Sequence, residues 1–278
     1  MIMARAAEAA VRVYPVGAIS LGSEGKQLAE FGEMQAAGAV AVSDDGRPVR
    51  DSQLMRRALE YASNFNLPVI SHSEEPSLST GVMNEGPAAT RLGLKGIPAA
   101  AEAIMVYREI ALAECTGARV HIAHVSTVEA LEAVKRAKAA GHPVTCEVGP
   151  QHFLLTDADI PSVSATEYKV NPPLRSAADR DAMVQGLMDG SIDAIATDHA
   201  PHSAEDKAKP MAEAAFGMSG IETSFALSYT HLVKTGLISL SRLVSLMAAK
   251  PAEIIRKPVG TLSIGAPADL VVMDLGRK

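Results

Sequence analysis

The chain has 278 residues, 47% of them hydrophobic and 21% charged, which suits one large buried core and excludes a disordered chain. Its 26 basic and 32 acidic residues are interspersed, giving a formal charge of -6 with no basic block, so no nucleic-acid partner is expected. No apolar run approaches the ~18 residues of a membrane span. The start shows no secretory apolar segment, and Cys115 and Cys146 are too few for a disulfide framework or a cysteine zinc site. A cytoplasmic enzyme is the expected class.

Residues 1–8 read as a short helix of good helix formers. After them, β-branched runs that end in polar residues recur at 11–19, 39–45, 67–74, 119–126, 143–148 and 191–198. Helical patterns lie between them. In 51–65, Leu54, Met55, Ala58, Leu59 and Ala62 share one face behind an Asp51 or Ser52 cap. In 127–140, Val128, Leu131, Val134 and Ala137 share a face, with Ser126 or Thr127 ahead and Gly141 as the stop. Apolar strands alternating with helices predict a parallel sheet covered on both faces.

The ends of the strands choose between an open doubly wound sheet and a barrel. Polar residues fall there repeatedly: Ser43-Asp44-Asp45, His72-Ser73-Glu74, His124-Val125-Ser126 and Asp198-His199. In barrels the chemistry sits at that rim, and no glycine fingerprint of a dinucleotide fold follows the first strand. A TIM-type (β/α) barrel is therefore predicted, incomplete, with about six of eight strands. Residues 1–255 are expected to form it, and residues 256–278 to begin a small C-terminal β segment, a remnant that includes a strand at 268–274.

Each polar strand end is weak alone. A lone histidine is more often a structural hydrogen-bonding residue, and Asp45-Gly46 by itself is a turn signal. Together they offer imidazoles and carboxylates from four strand ends, a donor set suited to zinc, and a carboxylate can bridge two ions.

At these residues the chain resembles class I dihydroorotases of the amidohydrolase superfamily. The resemblance rests on Ala41-Val42-Ser43-Asp44-Asp45-Gly46, Val69-Ile70-Ser71-His72-Ser73-Glu74 and His121-Ile122-Ala123-His124-Val125-Ser126-Thr127. It continues in Lys169-Val170-Asn171-Pro172-Pro173-Leu174-Arg175 and Ile195-Ala196-Thr197-Asp198-His199-Ala200-Pro201-His202. It implies a zinc enzyme that reversibly cyclises N-carbamoyl-L-aspartate to dihydroorotate in pyrimidine synthesis. By the same resemblance, Asp45 is the carboxylate shared by two ions, with Asp44 as the alternative, and His72 and His124 complete one ion's ligands. Asp198 binds the other ion and acts as general acid and base. Asn171, His202, Phe216 and Gly217 are implied as substrate contacts, and the loop 200–220 as a mobile lid. His121 is expected to pack or hydrogen-bond. A homo-oligomer is expected, with aspartate transcarbamoylase as a further partner.

The sequence also departs from that pattern. The family's His-x-His strand and the arginine after it have no counterpart: none of the eight histidines lie two apart. At most one well-held zinc and impaired activity are the expectation, as for a sequence shortened at its N-terminal side. Gly149 and Gln151 stand where the family usually has threonine and histidine. Two alternatives follow: a non-catalytic scaffold for aspartate transcarbamoylase, or another cyclic amidohydrolase such as a hydantoinase or allantoinase. Those usually bridge their metals with a modified lysine, whereas Asp-Asp-Gly stands here.

Overall fold

The computed structural model describes residues 1–276. Six strands form one sheet: β1 (Val16–Gly17), β2 (Ala41–Val42), β3 (Val69–Ser71), β6 (Val120–Ile122), β7 (Val144–Val148) and β8 (Ala194–Ile195). A second, two-stranded sheet pairs β4 (Met83–Asn84) with β5 (Gly96–Ile97). The order in the large sheet is β1-β2-β3-β6-β7-β8, and every pair is parallel. Neighbours in the sheet are thus successive in the chain, apart from the β4–β5 excursion, as expected when each strand returns through a helix.

The strands are short because only the inner half of each apolar run is strand. Val42, Val69, Val120, Val144 and Val148 are buried, and each contributes roughly 1.5–3 kcal/mol by leaving water. The outer half of each run turns out of the ladder and carries the polar residues. At the N-terminal side, 11–19 shrinks to Val16–Gly17 because Val11 and Val13 lie exposed without a partner. The strand expected at 268–274 is not formed among the described residues. Leu270, Val271 and Val272 are exposed there, and no neighbouring strand supplies a ladder.

Two helices follow the sequence reading closely. Ser52–Asn64 is capped by Asp51, whose carboxylate accepts the Leu54 N–H at 2.6 Å, and it buries Met55, Ala58, Leu59 and Ala62. Val128–Ala139 is capped by Thr127 and stops before Gly141, whose φ of +83° suits glycine. The helix Ala100–Thr116 packs between these two. It buries two carboxylates, Glu102 and Glu109.

His152, in the helix Pro150–Leu154 after β7, is buried with its Nε2 at 2.9 Å from the Pro172 carbonyl. Burial, opposed by that contact, pushes its pKa down to about 3. An unfolded histidine titrates near ~6.5. The folded pKa is the lower one, so its stabilising share is complete above pH 6.5 and is lost as the pH falls toward 3. Between pH 6.5 and 5 the native chain should lose roughly 2 kcal/mol more than His152→Gln, at about 1.4 kcal/mol per unit. Urea melts at the two pH values measure this, and equal losses in both proteins would refute it.

Candidate metal centre

The rim holding the polar strand ends is built first by Asp44. Its buried carboxylate accepts the Ile19 N–H at 2.8 Å, the Ser20 N–H at 3.1 Å and the Ser20 hydroxyl. All of its capacity goes to tying β1 to β2. The chain then turns, with Gly46 at φ +74°, and the next carboxylate, Asp45, faces the other way.

Asp45 Oδ1 lies 3.4 Å from His72 Nδ1 and 3.5 Å from His124 Nε2. Those two ring nitrogens face each other at 2.9 Å, with the rings nearly perpendicular at 78°. The three residues follow β2, β3 and β6, which are adjacent in the sheet. Four-coordinate zinc with ligands at ~2.0–2.2 Å needs donor atoms about 3.3–3.6 Å apart. The two carboxylate–imidazole separations match this, and the imidazole pair must part by a few tenths of an ångström. The chemistry of the donor set and its spacing therefore fit a divalent ion. Among the described residues this is the one group of three such side chains that converges.

The surroundings supply orientation. His72 Nε2 lies 3.5 Å from Glu74 Oε2 and 3.4 Å from Asn171 Nδ2, and Asn171 donates to Glu74 at 3.2 Å. A carboxylate behind a ligating imidazole fixes its tautomer and raises its basicity. Burial pulls the His72 pKa down, but Asp45 and Glu74 outweigh it and raise it to about 9. Asp45 is held well below the usual carboxylate range by His124 and His72. His124 Nδ1 and Asn171 Oδ1 are buried without a hydrogen-bond partner. His121 stands apart, between Thr145 Oγ1 at 2.8 Å and Glu147 at 3.1 Å.

Asp198 follows β8, two strands away from β6. It is not in the three-residue group, and its Oδ2 accepts from Gln151 Nε2 at 2.7 Å. Burial raises its pKa; the His124 and His72 rings oppose the shift and Asp45 adds to it. Both Asp198 (φ +46°) and His124 (φ +35°) adopt the left-handed backbone, a strained conformation often found where side chains are aimed at a site.

The remaining candidates form a second cluster. His202 Nε2 donates to the Phe216 carbonyl at 2.7 Å, and Gly217 N–H donates to the Lys169 carbonyl at 2.9 Å. Gly217 has φ +132°, and a Cβ there would sit 2.5 Å from the Ala200 carbonyl oxygen, so only glycine fits. The loop 200–220 is anchored from below. Lys169 Nζ donates to the Met211 and Ala214 carbonyls, both at 2.6 Å, and lies 4.3 Å from the Phe216 ring centre. Lys207 Nζ donates to the Thr166, Lys169 and Ala215 carbonyls at 2.9–3.1 Å. The bonds of this cluster are to one another and to the segment around Lys169, rather than to Asp45, His72 or His124. Sequence reasoning gave no role to Glu74 or Gln151. Glu74 stood within a quoted motif, two residues past His72, and that spacing was its only signal.

Comparison with known proteins carries the next step. A family model described as dihydro-orotase-like matches residues 1–130. A dihydroorotase of Anaeromyxobacter dehalogenans (strain 2CP-C) is 55% identical over 277 residues, 99% of this chain and 64% of that protein. One of Desulfotalea psychrophila is 56% identical over 274 residues, covering 98% and 65%.

Over nearly its whole length the chain is similar to dihydroorotases.

This dihydroorotase-like chain spans less than two thirds, 64–65%, of the length of these relatives. Its fold is also that of solved amidohydrolases. An L-hydantoinase (dihydropyrimidinase) from Arthrobacter aurescens superposes with a TM-score of 0.77 at 27% identity, covering 92% of this chain and 59% of that one. A D-hydantoinase (dihydropyrimidinase) from Thermus sp. gives 0.73 at 27% identity, covering 92% and 58%. The six parallel strands are accordingly those of an incomplete (β/α) barrel.

Proposed function

We propose that the chain carries a dihydroorotase site, which reversibly closes N-carbamoyl-L-aspartate to dihydroorotate and is organised around zinc. The observation that carries this reading is the convergence of Asp45, His72 and His124 at ligand spacing in a chain 55% identical to dihydroorotases. Those three side chains would hold one ion. When bound, such an ion lowers the pKa of water and polarises an amide carbonyl.

The other roles fall to the chain's own residues. Asp198, with its raised pKa, exchanges a proton with the ring nitrogen, a task that suits a carboxyl poised nearer neutrality. Asn171 offers a buried carbonyl oxygen without a partner, an acceptor for a substrate N–H. His202, Phe216 and Gly217 would receive the ring and its carboxylate once the loop adjusts. Glu74 orients His72. Asp198 stands apart from the ligand group, which supports one well-held ion. On the same reading the protein is a cytoplasmic homo-oligomer with aspartate transcarbamoylase as a partner. Residues 1–255 are its barrel part, and the segment after them would form β structure only with strands that it does not itself supply among the described residues.

The test is a metal-dependent assay of the 278-residue chain, alone and joined to the His-x-His segment of a relative. Turnover of dihydroorotate by the joined form is expected, at least a hundredfold above the chain alone, and a chelator should remove it. The hydantoinase-like structures favour a second reading, another cyclic amidohydrolase. Turnover of hydantoin with none of dihydroorotate would replace the first reading by that one.

A further inference from the structure

Gly149 lies between β7 and the helix Pro150–Leu154, and Gln151, two residues on, is in the first turn of that helix. Gln151 is buried at 5% exposure, and its side chain folds back over Gly149 to reach Asp198 Oδ2 at 2.7 Å. A Cβ on residue 149 would lie 2.6 Å from Gln151 Nε2, 2.7 Å from its Oε1 and 2.8 Å from its Cδ. No other atoms crowd that position so closely. The backbone at 149 has φ −83° and ψ 150°, open to any residue. Space for the Gln151 amide, rather than backbone freedom, is therefore what glycine provides.

We propose that Gly149 and Gln151 form one positioning unit, which withholds Asp198 from the group made by Asp45, His72 and His124. The amide is a neutral donor that occupies one carboxylate oxygen and fixes the carboxylate plane. Any side chain at 149 pushes the flexible amide away and frees Asp198, so Gly149→Ala and Gln151→Ala should act alike. This rests on the metal reading above for its consequence, although the coupling itself is a matter of packing.

Two measurements separate the parts. In 15N-labelled protein, the side-chain amide resonances of Gln151 should move by at least 0.1 p.p.m. in 1H on both Gly149→Ala and Asp198→Asn. If neither variant moves them, the unit does not exist, whatever the metal does. In cobalt(II) titrations followed by visible absorption, Gly149→Ala and Gln151→Ala should each tighten binding about tenfold, with a change in band intensity as Asp198 joins. The double variant should gain no more than either single one, and adding Asp198→Asn should erase the gain. Additive gains, or gains that survive Asp198→Asn, overturn the proposal. If the unsubstituted chain and all variants bind no cobalt while the amide resonances shift, the metal reading fails and the packing unit stands.

Discussion

Alanine at His124 is expected to weaken divalent-metal binding at least a hundredfold, while alanine at Asp44 weakens folding instead. The two residues end neighbouring parts of the same rim, yet their partners differ in kind. His124 spends its Nε2 on the space shared with Asp45 and His72, and its Nδ1 has no partner in the protein. Removing it takes away one of three converging donors, and a hundredfold corresponds to about 2.7 kcal/mol. Asp44 gives everything to Ile19 and Ser20. Alanine there leaves two backbone N–H groups and a hydroxyl without their acceptor in a buried place, a cost of about 2–4 kcal/mol from its separate parts. Zinc or cobalt titrations beside urea melts give both numbers. The assignment fails if Asp44→Ala abolishes metal binding in a protein still folded, or if His124→Ala binds as before.

The largest loss of stability should come from Glu102. Its buried carboxylate accepts the Ser126 N–H at 2.8 Å, the Thr127 N–H and Thr127 hydroxyl at 3.2 Å each, and the Ser126 hydroxyl. Arg175, equally buried, lies 3.6 Å away and donates to Ser126 Oγ, Asn84 Oδ1 and the Ile97 carbonyl. Glu102→Ala leaves a buried guanidinium without its counter-charge, which costs roughly 3–5 kcal/mol. Removing both charges, as Glu102→Leu with Arg175→Met, should cost less than Glu102→Ala alone, because no unpaired ion remains. Denaturation of the three proteins measures this. A single-variant loss below about 1 kcal/mol would mean that water or another group takes over, contrary to the argument from unpaired charge.

That network also explains what could and could not be read from the sequence. The strings His-Val-Ser-Thr and Asn-Pro-Pro-Leu-Arg each mix two functions. His124 and Asn171 look into the rim, while Ser126, Thr127 and Arg175 hold the two strings together through Glu102. A string shows that its members belong together but not which of them face the chemistry. The six parallel strands were legible because buried β-branched runs have few other solutions. Their ends were not, because the apolar run continues past the last ladder bond. Glu102 escaped notice because its helix Ala100–Thr116, wedged between two others, carries apolar residues on several sides and shows little periodicity. The gathering of Asp45, His72 and His124 follows from three adjacent strands ending on one side. Asp198 could not be placed in the same way, since a single hydrogen bond from Gln151 decides where its carboxylate rests.

Two lysines, Lys169 beneath the loop 200–220 and Lys207 within it, would give any movement of that loop an electrostatic character. Each ammonium has exchanged much of its water for protein carbonyls. Lifting the loop means carrying the Met211 and Ala214 carbonyls off Lys169, drawing Lys207 away from the Thr166 and Lys169 carbonyls, and rehydrating both cations, rather than merely uncovering apolar surface. Because the contacts are short and partly shielded, added salt screens them little. The resting order of this loop is therefore indifferent to ionic strength but dependent on the two positive charges, and an acyl group on either nitrogen would release it.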